Sequence, residues 1–187
     1  TPVITSPALT NDSTPPITGT AENLSDVYLV LQGTTYSTTT SSSGQWTVNI
    51  PQTLADGMYP VQVTARDAVG NTSQPALQNL RVDTTAPGLP QFTSTNRTND
   101  ETPQFTGIAE PGSIITLTIN GATFSTAASP NGAWNIDLGT ALPNGGTNPI
   151  APLVNGQTYT VTLTSTDAAG NNSQSASQSL QIDTMAP

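Results

Sequence analysis

The sequence predicts an all-β protein built from two tandem β-sandwich modules. Three observations lead to this prediction: five motifs recur in the same order in the two halves, apolar and polar residues alternate in short runs, and frequent glycine and proline separate these runs. Alternation with a period of two is the pattern of strands that bury one face. No segment has the longer apolar periodicity of a helix.

The internal repeat is defined by motifs at constant offsets. Three motifs near the start of each half share one offset, and two later motifs share a longer one. The pairs are Asn11–Pro15 with Asn99–Pro103, Gly19–Glu22 with Gly107–Glu110, Gly44–Trp46 with Gly132–Trp134, Asp67–Asn71 with Asp167–Asn171, and Asp83–Pro87 with Asp183–Pro187. The change of offset predicts an insertion within 142–154 of the second copy, and the repeated linker predicts two domains, 1–87 and 88–187.

Each copy is expected to contain about seven short strands, the number of an immunoglobulin-like sandwich. Asn120-Gly121 predicts a type I′ turn between two of them, with Gln32-Gly33 at the same place in copy one. The predicted inward rows are Val27, Leu29, Leu31; Trp46, Val48, Ile50; Tyr59, Val61, Val63, Ala65; Leu80, Val82 in copy one, and Ile115, Leu117, Ile119; Trp134, Ile136, Leu138; Tyr159, Val161, Leu163; Leu180, Ile182 in copy two. The one tryptophan of each copy is therefore predicted to anchor a core, and we expect the two immunoglobulin-like β-sandwich domains to be arranged end to end in an elongated chain.

The composition excludes several classes of function. The 187-residue chain has net charge −9, with twelve acidic residues, three arginines and no lysine, histidine or cysteine. It therefore lacks the cationic groups that bind nucleic-acid phosphates or anionic membranes, and no apolar stretch is long enough to span a bilayer. Only carboxylates and hydroxyls are left for proton transfer or nucleophilic attack, so we expect no enzymatic activity.

The motifs Gly-x-Ala-Glu, Gly-x-Trp, Asp-x-x-Gly-Asn and Asp-Thr-x-Ala-Pro together resemble the bacterial Ig-like repeats of giant surface adhesins exported by type I secretion. The resemblance covers both copies, although copy one has Asn23-Leu24-Ser25 where copy two has Pro111-Gly112. It implies a monomeric, extracellular stalk segment of a bacterial cell surface, involved in cell adhesion or biofilm formation and stiffened by Ca²⁺ at module junctions. The implied partners are neighbouring repeats, with any host-cell or biofilm ligand bound by other parts of the full protein.

Acidic residues recur at positions that the predicted topology assigns to two opposite poles of each sandwich. Glu22, Glu110, Asp67 and Asp167 are expected in loops at the pole that faces a preceding module. Asp12, Asp100, Asp83 and Asp183 are expected at the other pole. End-to-end stacking then brings Asp83 and Asp12 of copy one towards Glu110 and Asp167 of copy two. Glu22 with Asp67, and Asp183 with Asp100, are left as half-sites at the two ends of the chain.

This convergence of carboxylates predicts a calcium site at the junction of the two repeats. Two like charges at about 4 Å repel by roughly 1 to 4 kcal/mol, depending on the local dielectric, and the sequence offers no lysine to pair with them. A hard divalent cation with six to eight oxygen ligands removes this repulsion, whereas zinc and copper prefer the histidine or cysteine that the chain lacks.

Other interpretations of the same residues stay open. Asp67 and Asp167 also suit Asx-turns that close a hairpin, Asp83 suits a turn after a strand, and Asp12 and Asp100 suit turns before Ser/Thr-Pro. Acidic residues without a repeated pattern, namely Asp26, Asp56, Asp137 and Glu101, are expected to be solvated. A glycan- or receptor-binding module is the alternative function, through the 142–154 insertion or the Thr34–Ser43 run, which we expect to be an edge strand followed by a loop. An accessory module of a secreted hydrolase is a third.

Overall fold

The chain forms two compact units in a computed structural model that describes residues 1–146 and 149–186. The units are Thr1–Thr85, called module 1, and Ala86–Pro187, called module 2. The final proline of the second linker motif and part of the predicted insertion, residues 147 and 148, lie outside the described residues. Over the described ranges every regular element is a strand, and no helix long and apolar enough to cross a membrane is found.

Each module is a sandwich of one three-stranded and one five-stranded sheet. Module 1 contains β1 (Val3–Ile4), β2 (Leu9–Thr10), β3 (Pro16–Thr20), β4 (Asp26–Leu31), β5 (Thr34–Thr39), β6 (Gln45–Asn49), β7 (Gly57–Arg66) and β8 (Ala76–Val82). Module 2 contains β9 (Gln91–Phe92), β10 (Arg97–Thr98), β11 (Gln104–Ile108), β12 (Ile114–Ile119), β13 (Ala122–Ala127), β14 (Ala133–Asp137), β15 (Thr158–Thr166) and β16 (Ala176–Ile182). The sheets of module 1 have the orders β1-β3-β6 and β2-β8-β7-β4-β5, and those of module 2 the orders β9-β11-β14 and β10-β16-β15-β12-β13.

The first strand of each module is split between the two sheets, which gives eight segments where the sequence predicts about seven strands. In module 1, β1 pairs antiparallel with β3, whereas β2 pairs parallel with β8 in the other sheet. Module 2 repeats this arrangement with β9 and β10. A strand that switches sheets closes a corner of the sandwich and protects both edges.

The alternating rows predicted from the sequence form the two cores. Every predicted inward residue of module 1 is buried, and in module 2 only Tyr159 is partly exposed. The tryptophans are 3% and 4% exposed, as expected of core anchors. The predicted type I′ turn is confirmed because Asn120 and Gly121 both have positive φ, at 49° and 78°, and Gln32 and Gly33 match them.

A glycine lies opposite each tryptophan on the neighbouring strand. Gly19 pairs with Trp46, and a Cβ atom added to Gly19 would lie 2.3 Å from the indole ring and 2.0 Å from the carbonyl oxygen of Val3. Gly107 and Trp134 repeat this contact in module 2. The indole therefore occupies the space that any side chain at the glycine would need, which explains the joint recurrence of both residue types.

The insertion of module 2 contributes to the core as well as to the surface. Leu153 is 2% exposed, and Ile150 packs against the same cluster. Asn144 donates its backbone N–H to the carbonyl of Thr123 at 2.7 Å and its amide to the hydroxyl of Ser125 at 2.9 Å. The described residues of the insertion therefore cover part of the core and part of the edge of strand β13.

We predict that Gly19→Ala lowers the free energy of unfolding of module 1 by about 2–3 kcal/mol, because its new methyl group overlaps backbone and indole atoms. Urea unfolding followed by tryptophan fluorescence measures the change. Gly57→Ala is the matched control, since its Cβ would meet nothing nearer than 3.8 Å. Equal stability of the two variants would contradict this account of the glycine.

Candidate functional site

The long strand β7 separates two poles of module 1. Its last residue, Arg66, pairs with the first residue of β4, and its first residue pairs with the last residue of β8. Asp67 therefore lies at the same end as Glu22, and Asp83 lies at the opposite end. We call these ends the amino-terminal pole (Glu22 and Asp67) and the carboxy-terminal pole (Asp12 and Asp83). Because β7 has 10 residues, roughly 30 Å separates the two poles.

Glu22 and Asp67 line one cleft of about 170 Å³ at the amino-terminal pole of module 1. Thr1, Pro2 and Asn71 also line it. In module 2, Glu110 lines a cleft of about 260 Å³ together with Gly88 and Leu89. Asp167 is not among the lining residues of that second cleft. The structure thus brings the predicted glutamate and aspartate to one cleft in module 1, whereas in module 2 they share a pole, since Thr166 pairs with Ile114.

The glutamates of both modules have a fixed backbone and a free carboxylate. The carbonyl oxygen of Glu22 accepts hydrogen bonds from the hydroxyls of Ser25 at 2.7 Å and Thr40 at 2.6 Å. The carbonyl of Glu110 likewise accepts one from Ser113 at 2.8 Å. Neither glutamate carboxylate has a hydrogen bond or ion pair to the rest of the described chain. Each module therefore presents a glutamate carboxylate that is free to bind a ligand, on a loop whose backbone is held by hydrogen bonds.

The loop of Glu22 contains a backbone conformation that leucine rarely adopts. Leu24 has φ of 58° and is 69% exposed, whereas module 2 places Gly112, with φ of 79°, at the same position. The left-handed region costs a residue with a Cβ atom roughly 1–2 kcal/mol. Leu24 therefore strains the loop without contributing to the core.

Asp67 and Asp167 close their own loops, as the Asx-turn interpretation expects. The carboxylate of Asp67 accepts the backbone N–H groups of Val69 at 3.0 Å and Asn71 at 2.8 Å, and the Asn71 side-chain amide at 2.7 Å. Asp167 accepts the backbone and side-chain N–H groups of Asn171 at 2.9 and 2.8 Å. A carboxylate offers about four lone pairs, so these bonds leave little capacity for another ligand.

These hydrogen bonds lower the pKa of the aspartate in each loop. The side-chain amide and backbone N–H of Asn71 hold the pKa of Asp67 below its ordinary value. At Asp167 partial burial raises the pKa, but hydrogen bonds from Asn171 and the following loop amides outweigh it, so that the pKa is lowered overall. Both groups therefore stay ionised under acidic conditions that protonate ordinary aspartates.

At the carboxy-terminal pole, arginine neutralises the aspartate that ends each module. Arg81 forms an ion pair with Asp83 at 2.8 Å, and Arg97 forms one with Asp183. The arginines come from different strands, because Arg81 lies on β8 opposite Leu9, whereas Arg97 lies on β10 opposite Gln181. The sequence offers no lysine to pair with these carboxylates, and in the structure arginine takes this place for Asp83 and Asp183.

Asp12 and Asp100 form local turns. One carboxylate oxygen of Asp12 accepts both the N–H of Thr14 at 2.8 Å and its hydroxyl at 3.1 Å. Asp100 makes the same two bonds to Thr102, at 2.8 and 3.2 Å. The turn interpretation thus accounts for one oxygen of each carboxylate.

Asp56 is exposed, as expected of a solvated surface residue, but it also has a structural role that was not predicted. Its carboxylate accepts the N–H of Thr84 at 2.8 Å, the hydroxyl of Thr84 at 2.8 Å and the hydroxyl of Thr85 at 2.6 Å. The bonds from Thr85 and Thr84 hold the pKa of Asp56 below its ordinary value. Asn155 accepts the N–H of Thr184 in the same way. Asp56 and Asn155 each precede a glycine at or just before the start of the long strand of their copy. This repeated Asp/Asn-Gly pair is the feature of the sequence that could have indicated their shared role.

The candidate residues carry oxygen ligands, but the described chain does not bring three of them together. All candidate ligands are oxygens, which a hard cation prefers, and calcium takes six to eight of them. In the described part of the chain, no group of three or more acidic side chains is placed to hold a metal ion.

Family comparison agrees with the repeat and the fold. A model of the bacterial Ig-like domain matches residues 2–84 and again residues 92–184. The chain belongs to the bacterial Ig-like domain family. No curated protein sequence matches it significantly.

Solved structures that resemble this bacterial Ig-like chain include the fibronectin(III)-like modules of Clostridium thermocellum CbhA, at 15% identity and TM-score 0.63, covering 98% of this chain and 94% of that one. An ice-binding, Ca²⁺-stabilised adhesin of an Antarctic bacterium is similar at 27% identity and TM-score 0.36, with 90% of this chain and 43% of that one covered. The extending region of a large adhesion protein, a tetra-tandem repeat, is similar at 22% identity and TM-score 0.40, with coverages of 94% and 48%. The chain thus spans about half the length of these two adhesin structures.

We predict that Asn71→Ala raises the pKa of Asp67 towards its ordinary value and leaves that of Asp167 unchanged, as measured by carboxyl NMR titration. Because the folded pKa lies below the unfolded value of about 3.9, the associated stabilisation is present above that pH and is lost as the pH falls through the folded pKa. Asn171→Ala is the reciprocal control. If either variant shifted the pKa of both aspartates, the two loops would not be independent of each other.

We predict that Leu24→Gly stabilises module 1 by about 0.5–1 kcal/mol, because glycine adopts positive φ without strain but loses more entropy on folding. Chemical denaturation measures the difference. Gly112→Leu is the converse control and is expected to destabilise module 2 by about 1–2 kcal/mol. A destabilised Leu24→Gly variant would show that the exposed leucine makes a contact that matters for folding.

Proposed function

We propose that this bacterial Ig-like chain is a stalk segment of an extracellular, cell-surface adhesin, and that Ca²⁺ bound between successive modules holds them in line. The observation that carries this proposal is the pair of free glutamate carboxylates, Glu22 and Glu110, each on an ordered loop at the amino-terminal pole of its module. The adhesin setting follows from the motifs that resemble adhesin repeats and from the family.

The proposed junction site combines Asp83 and Asp12 of module 1 with Glu110 and Asp167 of module 2. Glu110 is its central ligand, because its carboxylate makes no other bond within the described chain. The other three carboxylates already accept hydrogen bonds or form an ion pair within their own modules. Unused carboxylate oxygens, linker carbonyls and water complete six to eight ligands. The half-sites at Glu22 with Asp67, and at Asp183 with Asp100, serve junctions with further modules.

Contacts on both sides of the boundary support a short, constrained connection. Asp56 holds Thr84 and Thr85 on module 1, and the hydroxyl of Ser165 donates to the carbonyl of Gly88 on module 2 at 3.3 Å. Only Ala86 and Pro87 lie between these held residues in the sequence. Interfaces between small domains seldom fix their angle. A cation shared across so short a connection supplies the missing restraint.

The extracellular setting matches the affinity expected of such a site. Extracellular calcium-binding modules have dissociation constants of about 10⁻⁴ to 10⁻³ M, which suits the millimolar calcium outside cells. The insertion of module 2 gives no support to the alternative of a ligand-binding module, because its described residues pack against the core and cover β13. A spacer role needs no further binding surface.

We predict that 1 mM Ca²⁺ raises the melting temperature of the chain by roughly 5–10 °C over chelator, the shift expected for a dissociation constant near 10⁻⁴ M. Small-angle scattering is expected to show a longer maximum dimension in the same comparison. Both responses should be lost in Glu110→Gln, because this change removes a junction ligand without disturbing its backbone contacts.

Glu22→Gln is the matched control, since Glu22 has the same anchored carbonyl and free carboxylate but belongs to a half-site. It is expected to keep both calcium responses. Mg²⁺ at the same concentration controls for ionic strength. Identical responses of the Glu110→Gln and Glu22→Gln variants, or an unresponsive parent chain, would refute the junction site.

A further inference from the structure

Strand β5 of module 1 is an open edge of the five-stranded sheet. It pairs with β4 alone, and no strand of the described part of the chain pairs with its other side. Its counterpart in module 2, β13, likewise pairs only with β12. The outward backbone groups of such strands are free to pair with another chain unless something covers them.

The register identifies the outward groups of both edges. Thr40 donates its N–H to the carbonyl of Ser25 at 2.9 Å, and the hydrogen-bonded pairs continue at every second residue, including Tyr36 with Leu29. Thr35, Ser37 and Thr39 therefore direct their backbone N–H and C=O groups away from β4. Nothing in the described residues hydrogen-bonds to these backbone groups.

Module 2 covers one of the equivalent backbone groups. Thr123 and Ser125 occupy the positions of Thr35 and Ser37 in the repeat. The N–H of Asn144, in the insertion, donates to the outward carbonyl of Thr123 at 2.7 Å, and its side chain donates to the hydroxyl of Ser125 at 2.9 Å. Module 1 has no such insertion, because its chain passes directly from β6 to Leu54. One chain thus carries the same edge in a partly covered form in module 2 and in an uncovered form in module 1.

The open edge also lacks the residues that usually protect edge strands. Its sequence, Thr-Thr-Tyr-Ser-Thr-Thr, has no charge, no proline and no glycine, and the surrounding stretch from Val27 to Ala55 is uncharged. Natural edge strands are commonly protected by lysine, proline or a bulge. Threonine and tyrosine also favour strands. This edge is thus well suited to pairing with another strand.

We propose that β5 pairs antiparallel with β5 of a second copy of this chain. A two-fold axis at Ser37 places Ser37 opposite its own counterpart and Thr35 opposite Thr39, so that all outward N–H and C=O groups are paired. A second copy fits because chains of net charge −9 repel one another least along a strand that has no charged residue of its own; the carboxylate beside this strand, Asp26 on β4, accepts a hydrogen bond from the hydroxyl of Thr39 at 3.2 Å. Threonine and serine pairs across strands are favourable, and two-fold contacts between identical surfaces are the commonest oligomeric form.

One strand pair buries little surface, so we expect weak association of the isolated chain. Where several such edges lie along one stalk, or where stalks are held close together, each contact raises the effective concentration for the next. The overall affinity between stalks is then higher than that of a single strand pair. The inferred function is lateral attachment between identical stalks. It goes beyond the spacer role and does not depend on calcium, so all measurements are made in chelator.

The test uses disulfide trapping, since the chain contains no cysteine. In the proposed pair the Cα atoms of the two Ser37 residues are about 5.5 Å apart, within the range that a disulfide spans. Ser37→Cys is expected to give covalent dimers rapidly under mild oxidation. Ser125→Cys, at the equivalent exposed position of module 2, loses the bond to the Asn144 side chain but keeps the backbone bond from Asn144 to Thr123, so it is expected to stay monomeric on the same timescale. Equal dimer yields from the two variants would overturn the proposal.

Sedimentation equilibrium of the unmodified chain provides a second readout. We expect concentration-dependent association that is lost in Ser37→Pro, which removes an outward N–H without breaking a bond to β4. Ser37→Lys, which places like charges opposite each other, covers the case in which the proline variant does not fold. Association that persists in a folded Ser37→Lys variant, or a chain that stays monomeric at millimolar concentration, would also overturn it.

Discussion

The antiparallel register of the long strand in each module is the constraint on which the rest of the molecule depends. Because β7 pairs with β4 at one end and with β8 at the other, Asp67 shares a pole with Glu22 while Asp83 lies at the opposite pole. Burial of every second residue fixes this register, since a slip of one residue would turn Val61 and Val63 to solvent. The packing of the core thereby determines where the charged groups emerge, although none of them contributes to that core.

The carboxylates differ in how much of their bonding capacity the fold already uses. Asp67 closes a loop, Asp83 pairs with Arg81 and Asp56 holds the first linker residues. The glutamates are the exception, because serine and threonine hydroxyls hold their backbone and leave the carboxylate unused. An acidic residue kept ordered but unpaired suits a ligand from outside the module better than a residue that already stabilises its own loop. This difference makes Glu110 the most informative position in the proposed junction.

The sequence was sufficient to predict the fold class, the inward rows and the turns, because each depends on local alternation or on a glycine with positive φ. It did not predict that the first strand switches sheets, since β1 and β2 are two residues each and too short to show a period. The ion pairs of Asp83 and Asp183 were missed for a related reason. Both modules contain the ion pair, but its arginine lies on a different strand in each copy. The arginine therefore belongs to no motif that repeats in the sequence.

The two modules also show how similar cores can carry different surfaces. Leu24 and Gly112 occupy the same loop position and both have a positive φ angle, yet only the leucine exposes an apolar side chain. The insertion of module 2 acts in the same way, since Leu153 retains the packing of Leu54 while Asn144 covers an edge that module 1 leaves open. Because the sandwich tolerates these changes outside its buried rows, an array of such modules can keep one architecture while individual copies acquire separate contacts. The differences between the two modules therefore lie in their loops and strand edges, outside the buried rows.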